Sequence, residues 1–171
     1  MNLALLVLRV VVGALFVGHG AQKLFGSFGG HGPDGTGAFF ESTGMTRGRE
    51  LAIIAGASEL IGGLLFAFGL VTPLAAALLS AVMLTAIWQV HRRNGLWITE
   101  NGFEYNLVML AVLFAVTAAG AGRWSLDHVL GLDLAGAGWA LAQLAAAIVG
   151  TGLVLGVGRL SHRHDRTATA V

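Results

Sequence analysis

An acidic residue stands in the middle of one of the most apolar stretches of this sequence. Glu59 lies eight positions past Leu51, in a run to Val71 that holds no other charged residue. A carboxylate surrounded by hydrocarbon is costly, and it usually faces protein or water and marks function. Glu59 is therefore the first candidate for a ligand or proton site. A structural ion pair or a protonated, hydrogen-bonding acid remains an open alternative.

Polar residues on three other apolar stretches are expected at a similar depth. His19 and Lys23 are four residues apart, so they share one face of a helix. The candidate groups for exchanging protons or holding a ligand are Glu59 and Glu104. The candidate ligand-binding residues are His19, Gln22, Lys23, Gln89, His91 and Asn106.

Several of these residues also have simpler interpretations. Lys23 can extend to the membrane interface, His91 can belong to an interfacial basic group, and Glu104 can be a first-turn carboxylate favoured by the helix dipole. Haem between His19 and His91 is unlikely on sequence grounds, because nothing shows both rings facing one cavity. The His and Glu residues lack the spacing of a metal motif, so no metal ligands are assigned.

The composition identifies the elements that must position these residues. Hydrophobic residues make up 56% of the 171 positions and charged residues 11%, with a mean hydropathy of +0.77. Too little polar surface is available to cover a soluble core, and disorder requires the opposite balance. The chain has no cysteine, which excludes disulfides and thiol chemistry, and its dispersed basic residues argue against nucleic-acid binding. The class of protein that remains after these exclusions is a polytopic membrane protein in the lipid bilayer.

Five apolar runs are long enough to cross a membrane, and they lack the alternation of barrel strands. An all-α membrane helical bundle is therefore predicted. The spans are placed at about residues 3–24, 51–71, 73–90, 103–121 and 139–158. The connection at Val71 to Pro73 is so short that the second and third helices must be antiparallel neighbours.

Basic residues near the span ends predict the orientation. Eight of the ten basic residues lie on one side of the membrane, in the connection between the first and second spans, the connection between the third and fourth spans, and the segment after the fifth. Arg9 and Arg123 lie on the other side. This bias places the N-terminus outside and the C-terminus in the cytoplasm of a bacterial inner membrane. The first of these connections, from Phe25 to Glu50, is expected to contain a turn at Pro33-Asp34-Gly35 and a short interfacial helix around Phe39 and Phe40.

Glycine is abundant within the spans, where small residues let helices approach closely. Packing inside the bundle is the plainer interpretation for Gly13, Gly56 and Gly63. Gly152 and Gly156 form a GxxxG pair, which leaves either internal packing or a homodimer open.

Several short motifs, in order, resemble the DoxX family of small bacterial membrane proteins. The resemblance covers about residues 5–127. Its motifs are Arg9 with Gly13, Gly18-His19-Gly20-Ala21-Gln22-Lys23-Leu24, Glu59-Leu60-Ile61-Gly62-Gly63, the Gly69–Pro73 turn, Asn101-Gly102-Phe103-Glu104-Tyr105-Asn106 and Gly122-Arg123-Trp124-Ser125-Leu126-Asp127.

The resemblance implies a four-helix membrane core over residues 1–127. Residues 128–160 would then add a fifth transmembrane helix, and residues 161–171 a polar cytoplasmic tail. It also implies a redox-associated subunit that acts beside quinone and a soluble partner such as a superoxide dismutase or a sulfurtransferase. A small-molecule carrier and a structural anchor for a soluble redox enzyme remain alternatives, and catalytic activity of the chain itself stays open.

Overall fold

The computed structural model is a bundle of long apolar helices. It describes the backbone of residues 2–168 and the side chains of residues 2–159. Within that part of the chain all regular structure is helical, which confirms the predicted fold class. The α-helices are α1 Asn2–Phe25, α2 Gly32–Ser42, α3 Gly48–Phe68, α4 Thr72–Ala86, α5 Glu104–Ala119, α6 Leu126–Val129 and α7 Ala137–Ala168. A π-helical turn at Ile87–His91 and a 3₁₀ turn at Arg92–Asn94 extend α4.

Within the described residues, four segments are long and apolar enough to cross a membrane: Asn2–Phe25, Gly48–Phe68, Thr72–Asn94 and Ala137–Arg159. The remaining predicted span, α5, has 16 residues. Its length of about 24 Å is less than a hydrocarbon core of about 30 Å. Its two ends nevertheless lie beside opposite ends of α1, because Tyr105 packs against His19 and the following loop reaches Asn2. Helix α5 therefore runs along the length of the bundle.

The bundle has two ends, and we name each end by one ionisable residue that lies there. At the Lys23 end, α1 and α4 finish and α3 and α5 begin. At the Asp127 end lie the α3–α4 turn and α6. Helix α7 runs from the Asp127 end to the Lys23 end. At the Asp127 end the Gly136 N–H donates to the Ala118 carbonyl at 3.0 Å. At the Lys23 end the Thr46 N–H donates to the Gly158 carbonyl at 2.8 Å.

Glycines bring α1 and α3 into direct backbone contact. A Cβ atom on Gly13 would lie 2.6 Å from the Gly63 carbonyl oxygen, and one on Gly20 would lie 2.7 Å from the Gly56 carbonyl oxygen. Only glycine permits such an approach, so the predicted packing role of Gly13, Gly56 and Gly63 is confirmed. Phe16, Phe66, Leu79 and Leu113 fill the centre of the bundle and are fully buried.

Three local expectations can be compared with the structure. The Pro33-Asp34-Gly35 segment is not a separate turn, because Pro33 lies in the first turn of α2, where its missing N–H costs nothing. The segment predicted as a tail begins as a continuation of α7, which runs to Ala168; residues 169–171 lie outside the described part. A Cβ on Gly152 or Gly156 would meet no described atom within 4 Å, so neither glycine packs against another part of residues 2–159, and the homodimer stays a prediction.

Candidate functional site

A cavity of about 510 Å³ opens between α3 and α4 at the Lys23 end. The short turn at the other end holds the two helices together, and a Cβ on Gly62 would come 2.9 Å from the Leu79 Cδ2 atom. Farther from the turn the helices separate, and residues from Leu51 to Glu59 face residues from Leu78 to His91 across the cavity. The walls are mostly apolar side chains, with a few polar groups on both faces.

The Lys23–Glu59 ion pair is the most buried charged feature of the cavity. Lys23 Nζ lies 2.6 Å from Glu59 Oε2, and the side chains are 21% and 3% exposed. The close contact between α1 and α3 brings the two side chains together. A Cβ on Gly56 would lie 3.0 Å from the Lys23 Cβ, so Lys23 lies directly against α3 at Gly56. Glu59 follows Gly56 by about one turn and therefore lies within reach of Lys23. The pair places a cation and an anion at the wall of an apolar space, where electrostatic interactions are stronger than in water.

His19 lies one turn before Lys23 and faces the same cavity. Its Nδ1 atom is 3.1 Å from Gln22 Oε1, and the Gln22 amide donates in turn to the Phe28 carbonyl at 3.2 Å. The His19 ring meets the Tyr105 ring edge-on, with centroids 6.3 Å apart. Gln22 thus orients His19 without lining the cavity itself.

Polar side chains from α4 and α5 form the rim. Gln89 Nε2 donates to the Thr43 carbonyl at 2.6 Å, which ties α4 to the segment after α2. His91 Nδ1 lies 2.8 Å from the Asn101 carbonyl oxygen, and Asn106 Nδ2 lies 3.4 Å from the Met83 sulfur. Since π-helical turns occur frequently at functional sites, the π turn that carries Gln89 and His91 fits this placement.

The structure brings most of the candidate residues together. Two of them do not line the cavity, namely Gln22 and Glu104. The Glu104 carboxylate instead accepts from the Ile98 N–H at 3.0 Å. The candidates that do line the cavity are His19, Lys23, Glu59, Gln89, His91 and Asn106.

Sequence reasoning overlooked other parts of the wall. Tyr105 is not among the predicted site residues. Its aromatic ring lies between two polar residues of the sequence, Glu104 and Asn106, and this pattern could have indicated it. Met45, Gly150 and Val154 carry no comparable signal, because an apolar residue in an apolar chain gives no indication of which surface it faces. They join the cavity through the α2–α3 connection and α7.

A second buried polar group lies at the Asp127 end. Asp127 accepts from the Val71 N–H at 2.6 Å, the Thr72 N–H at 3.1 Å and the Thr72 hydroxyl at 2.6 Å. Arg9 is fully buried there and donates to the Trp124 carbonyl. Arg9 therefore lies at the opposite end of α1 from Glu59, as the sequence indicates.

Among the residues that the structure describes, His, Asp and Glu side chains nowhere form a group of three able to hold a metal ion. The cavity offers a cation, an anion, two imidazoles, two amides and a few hydroxyl groups along a mostly apolar surface. That combination suits a flat, lipid-soluble molecule with a few hydrogen-bonding atoms.

Comparison with known proteins decides the family. The DoxX family model matches residues 4–92, which span α1 to the end of the α4 extension. The chain belongs to the DoxX family. Both the α1 motif around His19 and the α3 motif around Glu59 lie within the matched residues.

Curated relatives of similar length support the assignment. A Bacillus subtilis protein named "Putative oxidoreductase CatD" is 32% identical over 67% of this chain and 78% of its own length. An uncharacterized membrane protein of Mycobacterium tuberculosis is 31% identical over 72% of this chain and 78% of its own. A Haemophilus influenzae protein is 32% identical over 71% of this chain and 86% of its own. No solved structure matches the chain.

Proposed function

We propose that this DoxX protein binds the head group of a quinone in the cavity and serves as a redox-associated membrane subunit. The observation that carries the proposal is the Lys23–Glu59 pair, 2.6 Å long and built into the wall of an apolar cavity of about 510 Å³. Ligand sites are typically apolar with a few convergent polar groups. The CatD relative is named as an oxidoreductase, which is consistent with a redox role.

The polar wall matches the chemistry of a quinone ring. An ammonium group has three donors, and Lys23 uses one on Glu59, so it retains donors for a carbonyl oxygen. His19 Nδ1 donates to Gln22 Oε1, which leaves Nε2 of the neutral ring as an acceptor for a hydroxyl group of the reduced quinone. The apolar walls hold the ring by burial of its faces.

Proton exchange falls to Glu59. A quinone that is reduced by an electron donor outside this chain takes up one proton at each carbonyl oxygen. Glu59 is the carboxylate on the cavity wall, whereas Glu104 lies outside it, bound to the Ile98 N–H. Lys23 is 21% exposed and connects the buried carboxylate to water at the Lys23 end. In this proposal the electron donor is a soluble redox partner, of the superoxide dismutase or sulfurtransferase kind that the resemblance implies.

The decisive experiment uses the full chain in phosphatidylcholine nanodiscs. Lipid-soluble molecules that co-purify are identified by mass spectrometry, and a tailless benzoquinone is titrated while tryptophan fluorescence is recorded. Saturable quenching in the wild type, lost in Lys23→Met, supports the proposal. Absence of saturable binding and of co-purified quinone would overturn it.

Two other functions are tested by separate measurements on the same protein, namely uptake into liposomes and co-purification of a soluble partner. Uptake of a small polar molecule into liposomes without quinone binding would indicate a carrier. The packed half of the bundle near Phe16 and Phe66 argues against a path through the protein. A stable soluble partner with no small ligand would indicate an anchor.

The proposed orientation places the Lys23 end in the cytoplasm. Basic residues lie on the connections and helix ends at that side, including Arg47, Arg49, Arg92 and Arg93. Reporter fusions at residue 171 and within residues 26–49 should both be cytoplasmic. An external reporter at either position would reverse the orientation and move the partner to the other face.

A further inference from the structure

The cavity has two chemically different sides, separated by the gap between α3 and α4. On one side lie the end of α1 and the first turn of α5, with His19, Lys23 and Tyr105. Farther from the cavity, α5 packs against α7. On the other side lies α7, with Gly150 and Val154. Successive residues turn by about 100° around a helix, so Glu59 and Ile54 point to different sides of α3.

Helix α7 forms a fixed wall of this apolar side. A Cβ on Gly150 would lie 3.4 Å from the Ala81 Cβ, and Thr151 Oγ1 donates to the Ala81 carbonyl at 3.1 Å. About two turns before Gly150 on α7, Gln143 Nε2 donates to Ser80 Oγ at 2.7 Å. Side-chain hydrogen bonds of this kind fix the position of one helix against another in a membrane.

The apolar side is closed at its base and open laterally. Gly158 lies two turns past Gly150, and a Cβ there would be 3.1 Å from Met45 and 3.4 Å from Leu51. Above that contact, Ile54 on α3 is 52% exposed and Phe39 on α2 is 49% exposed, although both line the cavity. The cavity thus opens beside α3 toward the surface that a bilayer would cover.

We infer that α7 completes a subsite for the hydrocarbon tail of the ligand, with Gly150 as the residue that leaves room for it. This inference rests on the proposed function, and it specifies a long-tailed lipid quinone rather than a small water-soluble one. The head group lies against Lys23 and Glu59, and the tail passes Gly150 and Val154 and leaves the cavity beside Ile54. The match to the family model ends at residue 92, so the wall formed by α7 lies outside the matched segment.

The geometry of α7 provides a matched control for the test. Gly150 lines the cavity, whereas a Cβ on Gly152 would meet no atom within 4 Å and Gly152 is not part of the cavity wall. Leucine at either position adds the same volume to the same helix. Only leucine at position 150 would occupy the space assigned to the tail.

Titrations of wild type, Gly150→Leu, Gly150→Ala and Gly152→Leu in phosphatidylcholine nanodiscs test the subsite. The probes are a tailless benzoquinone and its decyl-tailed analogue. Gly150→Leu should weaken decyl-quinone binding on the order of tenfold while leaving the tailless quinone nearly unchanged. Gly150→Ala should give a smaller loss in the same direction, and it guards against misfolding of the leucine variant. Gly152→Leu should bind both probes as the wild type does.

The outcomes separate this inference from the proposed function. Equal binding of the decyl analogue by both leucine variants, with tailless quinone still bound, would overturn the tail subsite and leave the proposed function standing. A parallel loss of both probes in Gly150→Ala and Gly150→Leu would assign position 150 to the head group and also overturn it. If the wild type bound neither the tailless quinone nor its decyl-tailed analogue, both proposals would be overturned.

Discussion

Each end of the bundle buries a carboxylate, but the two carboxylates have different hydrogen-bond partners. Asp127 accepts two backbone N–H groups and one hydroxyl, all from the first residues of α4 and the turn before it. Among the described residues Glu59 has one hydrogen-bond partner, Lys23, and both face an open cavity. Asp127 is bound to groups that cannot move without unfolding the α3–α4 turn, whereas Glu59 is bound to a flexible side chain that can change partners.

This difference separates a structural carboxylate from a candidate functional one. Motifs that carry the DoxX resemblance lie at both ends, so the resemblance alone does not distinguish their roles. The hydrogen-bond partners of the two carboxylates distinguish these roles. A carboxylate with three donors from one turn stabilises a helix N-terminus, while a single side-chain partner beside a cavity leaves acceptor capacity for a ligand.

The largest expected effect is on stability at the Asp127 end. Asp127→Ala removes the acceptor from three donors in and beside a buried turn, and we expect a loss of about 3–5 kcal/mol in the free energy of unfolding. Thermal denaturation in nanodiscs measures it. Asp133→Ala, at an exposed carboxylate nearby, is the control and should denature like the wild type. Equal stability of the two variants would remove the structural role assigned to Asp127.

A change at Glu59 should affect binding more than stability. Glu59→Gln keeps an oxygen that can accept from Lys23 but removes the charge and the proton-exchanging group. Affinity for a tailless quinone should fall on the order of tenfold, or about 1.4 kcal/mol, with a smaller change in the denaturation temperature. Titration and thermal denaturation of the same sample separate the two effects.

The exposed ion pair between Arg49 and Asp34, 2.8 Å long, provides the control for Glu59→Gln. Asp34→Asn should change neither binding nor stability measurably, because exposed pairs contribute little. If Glu59→Gln lowered stability and left quinone affinity intact, Glu59 would be structural like Asp127 and the contrast between the two ends would fail.

The smallest expected effect is at the rim of the cavity. Gln89→Ala removes the 2.6 Å bond to the Thr43 carbonyl that ties α4 to the segment after α2. The expected cost is about 1 kcal/mol, seen as faster amide hydrogen exchange in α2. Asn94→Ala, which removes an exposed bond to Asn101, should leave exchange in α2 unchanged. No difference between the two variants would show that Gln89 does not hold α2.

The sequence predicts the helical class and the approximate spans because hydropathy and length constrain them directly. In lipid the backbone must satisfy its own hydrogen bonds, so a long apolar run has few alternatives to a helix. The same reasoning selects Glu59, because an acid in such a run is conspicuous. It does not place Glu104 correctly, since a residue at a helix start can turn either into the bundle or back toward its own loop, as Glu104 does toward Ile98.

Only the tertiary structure decides which residues meet. Lys23 pairs with Glu59 because glycine contacts fix the register of α1 against α3, and register depends on the summed packing of whole helices rather than on either residue alone. Gly150 lines the cavity while Gly152 does not, although the two are alike in sequence context. A local pattern specifies a helix, because its hydrogen bonds are local. The rotation and tilt of that helix against its neighbours depend on contacts between residues far apart in the chain, which no local pattern contains.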